Sequence, residues 1–256
     1  MTDAPIVTRV RHETRRRDLT VARIESLAPA MRRVVLRGAE LAGFTSLGFD
    51  DHVKLFFPGR EADGGAPAMR DFTPRRYDAA RGELWIDFFL HEAGPATEWA
   101  SQAAAGQPLT IAGPRGSFVI ATEGVDTHVL VGDETALPAI GRRLEELPAG
   151  TAAIVVLETA ADAQAYPLAS PARLEVHRIT RPPGSTPTAD RIIDVLRGLA
   201  FSPACWFAWI ATEAHVARRI RHYLTVERSI DKRRVKAAGY WRPGAAGVHE
   251  RVSDEE

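Results

Sequence analysis

Apolar and polar positions follow two different rules along this chain. Up to about residue 122 the apolar residues come in short β-branched or aromatic runs: Val34-Val35-Leu36, His52-Val53-Lys54-Leu55-Phe56-Phe57, and residues 84–90. Pro58-Gly59, Gly64-Gly65 and Gly113-Pro114 punctuate them, the grammar of strands and tight turns. Many short strands of this kind predict a small barrel or a sandwich. One helix interrupts them. Pro95 suits the first helical turn, where its missing N–H costs nothing, and Gly106 closes a helix that runs to about Ala105.

From about residue 123 the apolar runs alternate with helical periodicity. Residues 128–131, 153–157, 174–177 and 206–210 read as strands, and 138–147, 190–199 and 213–228 as helices. In the last helix Val216, Ile220, Tyr223 and Leu224 share one face while arginines cover the other. Such alternation predicts a mostly parallel sheet covered on both sides, whose ligands sit at the C-terminal strand ends. The expected fold class is therefore β + α/β. An antiparallel barrel domain spans 1–122 and an α/β domain spans 123–256, joined at Thr122-Glu123-Gly124, with a charged tail after Gly247.

Composition narrows the function classes. A chain of 256 residues with 45% apolar residues has room for two cores. The formal net charge is zero, so nothing global argues for nucleic acid or an acidic polymer as partner. Arg9, Arg11, Arg15, Arg16 and Arg17 form a basic cluster, but without interleaved aromatics it reads as a solvated lead-in to the first strand. The single cysteine, Cys205, excludes an internal disulfide and a multi-cysteine metal site, and its apolar neighbours point to buried packing. No leader-like apolar core or bilayer-length run occurs, so a cytoplasmic protein without membrane insertion is expected. The eight histidines show no metal-binding spacing; His52, His91 and His177 read as structural. No catalytic triad and no metal site are expected.

Four stretches carry candidate chemistry. Arg70-Asp71-Phe72-Thr73-Pro74-Arg75-Arg76-Tyr77 packs arginines, a hydroxyl and aromatics together. If extended, it puts Arg70, Phe72 and Pro74 on one face and Asp71, Thr73 and Arg75 on the other. It suits a phosphate with a planar ring, or a polar edge strand. His91-Glu92-Ala93-Gly94-Pro95-Ala96-Thr97-Glu98-Trp99 ends a strand and opens a helix, where free N–H groups favour an anion; an ordinary capped turn reads the same way, and Trp99 reads as core. Gly132-Asp133-Glu134-Thr135-Ala136 is the first strand-to-helix turn of the α/β half, without a G-x-G-x-x-G fingerprint. Ala238-Gly239-Tyr240-Trp241-Arg242-Pro243-Gly244 could close over a ligand or pack on its domain.

Taken together, DDHVKLFFP, MRDFTPRRYD, HEAGPATEWA, AGPRGSF, VGDETALPAI and GYWRPG resemble the siderophore-interacting protein family, over residues 20–244. The resemblance implies a FAD-binding barrel followed by a nicotinamide-binding domain, carrying electrons from NADPH or NADH to ferric iron in a siderophore. It implies that Arg70 holds FAD phosphate, Phe72 stacks beside the flavin and Thr73 bonds near its N5, with Arg75 and Arg76 extending the motif. It further implies that His91, Gly94, Pro95, Ala96 and Thr97 form the pyrophosphate turn, and that Gly132, Asp133, Glu134, Thr135 and Ala136 meet the flavin. Lys54, Arg115 and Arg242, each in a family-matching stretch, are the candidates for an anionic siderophore. The chain departs from the family at Glu92 and Ala93, where glycine usually follows the histidine, and at Ala211-Thr212-Glu213, where A-G-E is usual; Thr212 could narrow the nicotinamide space. Arg142 and Arg143 read as helix-surface residues, with contact to a nicotinamide 2′-phosphate as the alternative. A flavin reductase serving a protein or free flavin, and a siderophore carrier without turnover, remain competing readings; a nucleic-acid binder rests only on the N-terminal arginines.

Overall fold

In a computed structural model, residues 6–59, 65–91, 94–121, 123–199, 205–245 and 250–252 are described. The chain forms two compact units, Arg9–Val119 with Ala165–Pro167, and Met1–Thr8 with Ile120–Gln164 and Leu168–Glu256.

The first unit is built on a seven-stranded antiparallel sheet. Its strands are β2 (Arg16–Ala28), β3 (Met31–Arg37), β4 (Val53–Phe57), β5 (Ala68–Phe72), β6 (Arg76–Asp78), β7 (Glu83–Phe89) and β8 (Pro108–Ala112), in the order β5-β4-β8-β2-β3-β7-β6. A flat sheet of this width would hold its edges roughly 29 Å apart at the usual strand spacing. Yet the two edge strands, β5 and β6, are consecutive in sequence and joined only by Thr73-Pro74-Arg75. Those residues reach about 15 Å at full stretch, so the sheet must curl until its edges come within that reach. The expected barrel is thus enforced by a three-residue seam, and the seam is the middle of the arginine-rich motif.

Alternation fills the barrel. Leu19, Val21, Val34, Leu36, Val53, Leu55, Phe57, Leu84, Ile86, Phe88, Leu109 and Ile111 form one core, with Trp99 and Ala100 of helix α1 (Pro95–Gln102) at its side. Each large apolar side chain so buried stabilises the unit by about 1.5–3 kcal/mol. α1 stops at Gln102, a turn earlier than the Gly106 signal suggested. Strands β1 (Val7–Arg11) and β9 (Gly116–Ile120) pair in a separate ribbon.

The second unit carries parallel strands β10 (Thr127–Gly132), β11 (Ala152–Thr159), β12 (Arg173–Thr180), β13 (Trp206–Glu213) and β14 (Val235–Trp241), ordered β12-β11-β10-β13-β14, with β15 (Glu250–Arg251) antiparallel at the edge. Helices α2 (Leu137–Glu146), α3 (Ala189–Gly198) and α4 (Ala214–His222) connect them. The strand order reverses between β10 and β13, which makes their C-terminal ends the topological switch point. α4 passes into a π-helical turn at Tyr223–Glu227 rather than continuing regularly to Arg228. Its arginines do not all face out: Arg221 is buried and donates to the Val235 carbonyl at 2.6 Å.

Two smaller expectations change, those for Arg17 and Cys205. Arg17 is buried, not solvated: its guanidinium donates to the carbonyls of Glu40 (3.0 Å) and Gly113 (3.1 Å) and sits over the Phe44 ring. Cys205 is half-buried, and the deep packing falls to Trp206, Phe207 and Trp209 beside it. His52 and His91 are exposed, while His177 is half-buried against Glu175 at 2.7 Å.

Candidate functional site

The barrel site grows from the register of β4 on β5. Val53 opposes Phe72 and Leu55 opposes Arg70, so Arg70 and Phe72 share the face of the core residues. Phe72 is half-buried and packs 4.4 Å from Phe88 and 6.1 Å from Phe57, ring centre to ring centre. The Arg70 guanidinium donates to the Met69 carbonyl at 2.8 Å and has no carboxylate partner among the described residues. The expected alternation ends at Phe72, because the chain turns across the seam. Thr73, Pro74 and Arg75 are consecutively buried rather than alternating. No hydrogen bond to the Thr73 hydroxyl occurs among the described residues.

Arg75 faces a buried polar network that the sequence did not announce. Asp87 of β7 is 3% exposed and takes both arms of Arg33 from β3, at 2.7 and 2.8 Å. The phenol of Tyr166, 1% exposed, donates to the second Asp87 oxygen and accepts from Arg75 Nε at 3.2 Å. Burial pushes the Tyr166 hydroxyl far above its usual pKa, with the Asp87 charge adding to the effect, so the phenol keeps its proton. Arg33 also lies over the Trp85 ring at 4.6 Å.

At the far end of β7, Gly94 caps α1 in extended backbone, and no side chain among the described residues caps the helix. Pro95 has no N–H, and those of Ala96 and Thr97 are at helical positions without an intrahelical acceptor. The space around Gly94 is open; a Cβ there would meet only the His91 ring, at 3.8 Å. Glu92 and Ala93 lie outside the described residues.

Lys54 and Asp71 oppose each other on the outer face of the same strand pair, and Lys54 Nζ bridges both Asp71 oxygens at 2.9 and 3.0 Å. Arg115, exposed, follows β8, the strand that also pairs with β4. Arg242 belongs to the other unit, just past β14, and is half-buried.

In the α/β unit the turn after β10 is tightly built. A Cβ on Gly132 would sit 2.4 Å from the Ala136 Cβ and 2.9 Å from the Ala211 carbonyl, so only glycine lets the turn close on β13. Asp133 is 0% exposed, and its carboxylate accepts from neutral donors on both oxygens. Oδ1 takes the Thr135 N–H (2.9 Å) and hydroxyl; Oδ2 takes the Thr212 hydroxyl and the Trp241 indole, each at 2.8 Å. The turn, the Thr212 departure and the C-terminal aromatic stretch thus meet on one carboxylate. Thr212 spends its hydroxyl there. Glu134 is buried too, and accepts from Arg181 and the Ala160 N–H. Burial first, then the Asp133 charge, pushes its carboxyl above the usual range. Ala136 is fully buried. Glu213 caps α4, accepting from the N–H groups of His215 (2.8 Å) and Val216 (3.1 Å).

Of the residues expected to bind a cofactor, Arg70, Phe72, Thr73 and Arg75 gather at the seam, while His91 and Gly94 to Thr97 surround one helix start. Gly132 to Ala136 form one turn of the other unit. Sequence reasoning missed Arg33, Asp87, Tyr166 and Arg181. Only the apolar–charged alternation of β7 hinted at Asp87. Arg142 and Arg143 are not surface residues awaiting a phosphate: Arg142 is buried and bonded to Glu146 at 2.7 Å, and Arg143 lies 3.3 Å from His128 Nε2. Among the described residues no three His, Cys, Asp or Glu side chains are grouped to hold a metal ion.

An antiparallel barrel with an open helix start, followed by a parallel sheet with a switch point, defines the two-domain flavin reductase architecture. The chain belongs to the siderophore-interacting protein family: the siderophore-interacting FAD-binding domain matches residues 20–66 and 60–118, and the siderophore-interacting protein model matches 125–244. It is 38% identical over 255 residues to an NADPH-dependent ferric-chelate reductase of Escherichia coli, covering 91% of this chain and 95% of the relative. A ferric vibriobactin reductase of Vibrio cholerae is 30% identical over 260 residues, covering 93% and 95%. The crystal structure of a siderophore utilization protein from T. fusca superposes with a TM-score of 0.87 at 33% identity, over 94% of this chain and 98% of that one.

The residues present fit FAD. Among the described residues, Arg70 without a carboxylate partner, the Thr73 hydroxyl without a hydrogen bond, the half-buried Phe72 ring and a helix start without a side-chain cap supply a cation, a hydrogen-bonding group, an aromatic face and anion-directed N–H groups.

Proposed function

We propose that this protein is a FAD-dependent ferric-siderophore reductase driven by NADPH or NADH. The observation that carries the reading is the pair of open anion-directed features on the barrel, the Arg70 guanidinium and the uncapped start of α1. In this reading Arg70 and the N–H groups of Ala96 and Thr97 hold the FAD phosphates, Phe72 lies beside the ring system and Thr73 bonds near N5. Bound FAD would supply the link between two-electron transfer from the nicotinamide and one-electron transfer to ferric iron. The protein's own side chains need move no proton; they bind, orient and exclude water. In this reading the turn from Gly132 to Ala136 meets the flavin; within it the Thr135 N–H donates to Asp133, and Glu134 ties the turn to the Ala160 N–H.

Siderophores wrap ferric iron in anionic oxygens, so local positive charge favours them even on a neutral protein. Lys54, Arg115 and Arg242 are assigned this role. The Lys54 charge is balanced by Asp71, so Arg115 carries the larger share on the barrel. The reading takes the reaction as cytoplasmic, where reduced nicotinamide is at hand; no helix among the described residues is long and apolar enough to cross a membrane.

The test is anaerobic. Purified protein is mixed with NADPH or NADH and a panel of ferric siderophores while flavin bleaching and ferrous-iron capture are followed. Bleaching followed by iron release supports the reading; no bleaching with NADPH and none with NADH overturns it. Bleaching without iron release would favour a general flavin reductase. Arg70→Ala should weaken FAD binding roughly 10- to 100-fold, the worth of one charge-assisted hydrogen bond, in a fluorescence titration.

A further inference from the structure

We propose that Tyr166 is a positioning residue for FAD, a brace that holds the barrel seam in its flavin-binding shape. The inference rests on the reading of Arg70 to Thr73 as the flavin segment.

Three residues close the barrel, and they are the same residues that continue from Phe72 toward the flavin. Thr73 is held on both sides. Upstream, β5 is fixed to β4 by its ladder. Downstream, the Arg75 N–H donates to the Trp85 carbonyl at 2.9 Å, extending the β6–β7 ladder by one residue. The Arg75 side chain supplies the remaining anchor. It is 4% exposed, and its Nε reaches the Tyr166 oxygen at 3.2 Å and lies 3.8 Å from Asp87. Asp87 in turn is locked to β3 through both arms of Arg33.

Tyr166 stands between the two charges. Its hydroxyl gives a proton to Asp87 and accepts one from Arg75, a pairing that neither phenylalanine nor an ionised phenolate could make. Residues 165–167 cluster with the barrel although the chain on either side of them belongs to the α/β unit. A buried network in which every member is satisfied rigidifies what it touches. Here it touches Arg75, two residues after the hydroxyl assigned to N5. The phenol thus acts on the flavin through Arg75 and never needs to meet it.

The experiment uses the full chain and FAD. Dissociation constants are measured by flavin fluorescence, and the environment of bound flavin by visible circular dichroism. Thermal unfolding of each apoprotein is followed separately. Tyr166→Phe should raise the FAD dissociation constant about 5- to 10-fold and alter the visible dichroism. Tyr223→Phe is the control: that hydroxyl also accepts from an arginine, Arg228 at 3.2 Å, but in the other unit, and both readouts should stay at wild type. Arg75→Lys should reproduce the Tyr166→Phe effect, and the double variant should lose little more than either single one. Wild-type affinity and dichroism in folded Tyr166→Phe, whatever its melting temperature, would overturn the proposal, as would additive losses in the double variant. If Tyr166→Phe does not fold, Arg75→Lys with wild-type binding overturns it alone. Wild-type protein that takes up no FAD sinks the functional reading instead, so the two failures are distinct.

Discussion

Asp87 of the barrel and Asp133 of the α/β unit, both buried, solve the same problem in opposite ways. Asp87 lies between guanidiniums: Arg33 takes both oxygens, Arg75 stands at 3.8 Å and Tyr166 fills the space between. Asp133 meets no cation in its shell of Thr135, Thr212 and Trp241, only neutral N–H and O–H groups. Charge pairing is strong but leaves a costly remainder when one partner goes. Neutral donors are individually weaker, yet they share the load and fix geometry from several directions. The barrel thus uses ions where the chain must be pulled across a gap. The α/β turn uses dipoles where a strand end must hold its shape.

The sharpest break in that comparison is Asp87→Ala. It strands Arg33 in the barrel wall and should cost about 3–5 kcal/mol in urea unfolding. His128 extends the contrast to a charge the fold refuses. It is 2% exposed in β10, and burial, followed by Arg143, pushes its pKa down to about 3. The unfolded histidine titrates near 6.5, so the stabilising effect of neutral His128 is complete above that value and is lost as pH falls toward 3. Between pH 7 and pH 4 that loss is on the order of 3 kcal/mol, and a pH series of unfolding midpoints should flatten in His128→Phe. Asp133→Asn keeps the shape but must turn an amide NH2 toward donors on one side or the other. About 2 kcal/mol should be lost, visible as a lower midpoint in urea unfolding. Thr212→Val removes one of the donors to Asp133, and about 1 kcal/mol is expected. If Thr212→Val were as damaging as Asp87→Ala, the idea of a shared load would fail.

Much of this architecture was legible in the chain because its strands are short, branched and separated by Gly and Pro. The longest strand, β2, was not, since its buried positions begin with Arg17 and its half-buried ones pair charges, such as Arg23 with Glu25 and Glu83. β14 escaped for the opposite reason: Ala237, Ala238 and Gly239 are small because α4 comes close, and a Cβ on Gly239 would sit 2.7 Å from that of Ala214. Period-two patterning is blind to a backbone approach of that kind. The local site motifs were visible as residue types at fixed spacing. Tyr166 was not, because nothing near it in sequence says that its partners lie 79 and 91 residues away. Arg70 and the helix start at Pro95 could be read from neighbours alone; the Asp87 network needs the folded barrel.

Residues 165–167 have one further consequence. They cluster with the barrel, while the chain before and after them does not, so no single scission yields both units whole. A gene shortened after residue 122 would still encode every strand of the seven-stranded sheet, yet Arg75 and Asp87 would lose the phenol that separates them. The two halves must therefore be inherited, swapped or engineered as a pair, and a chimaera that borrows its second half from elsewhere needs a tyrosine delivered to the same spot.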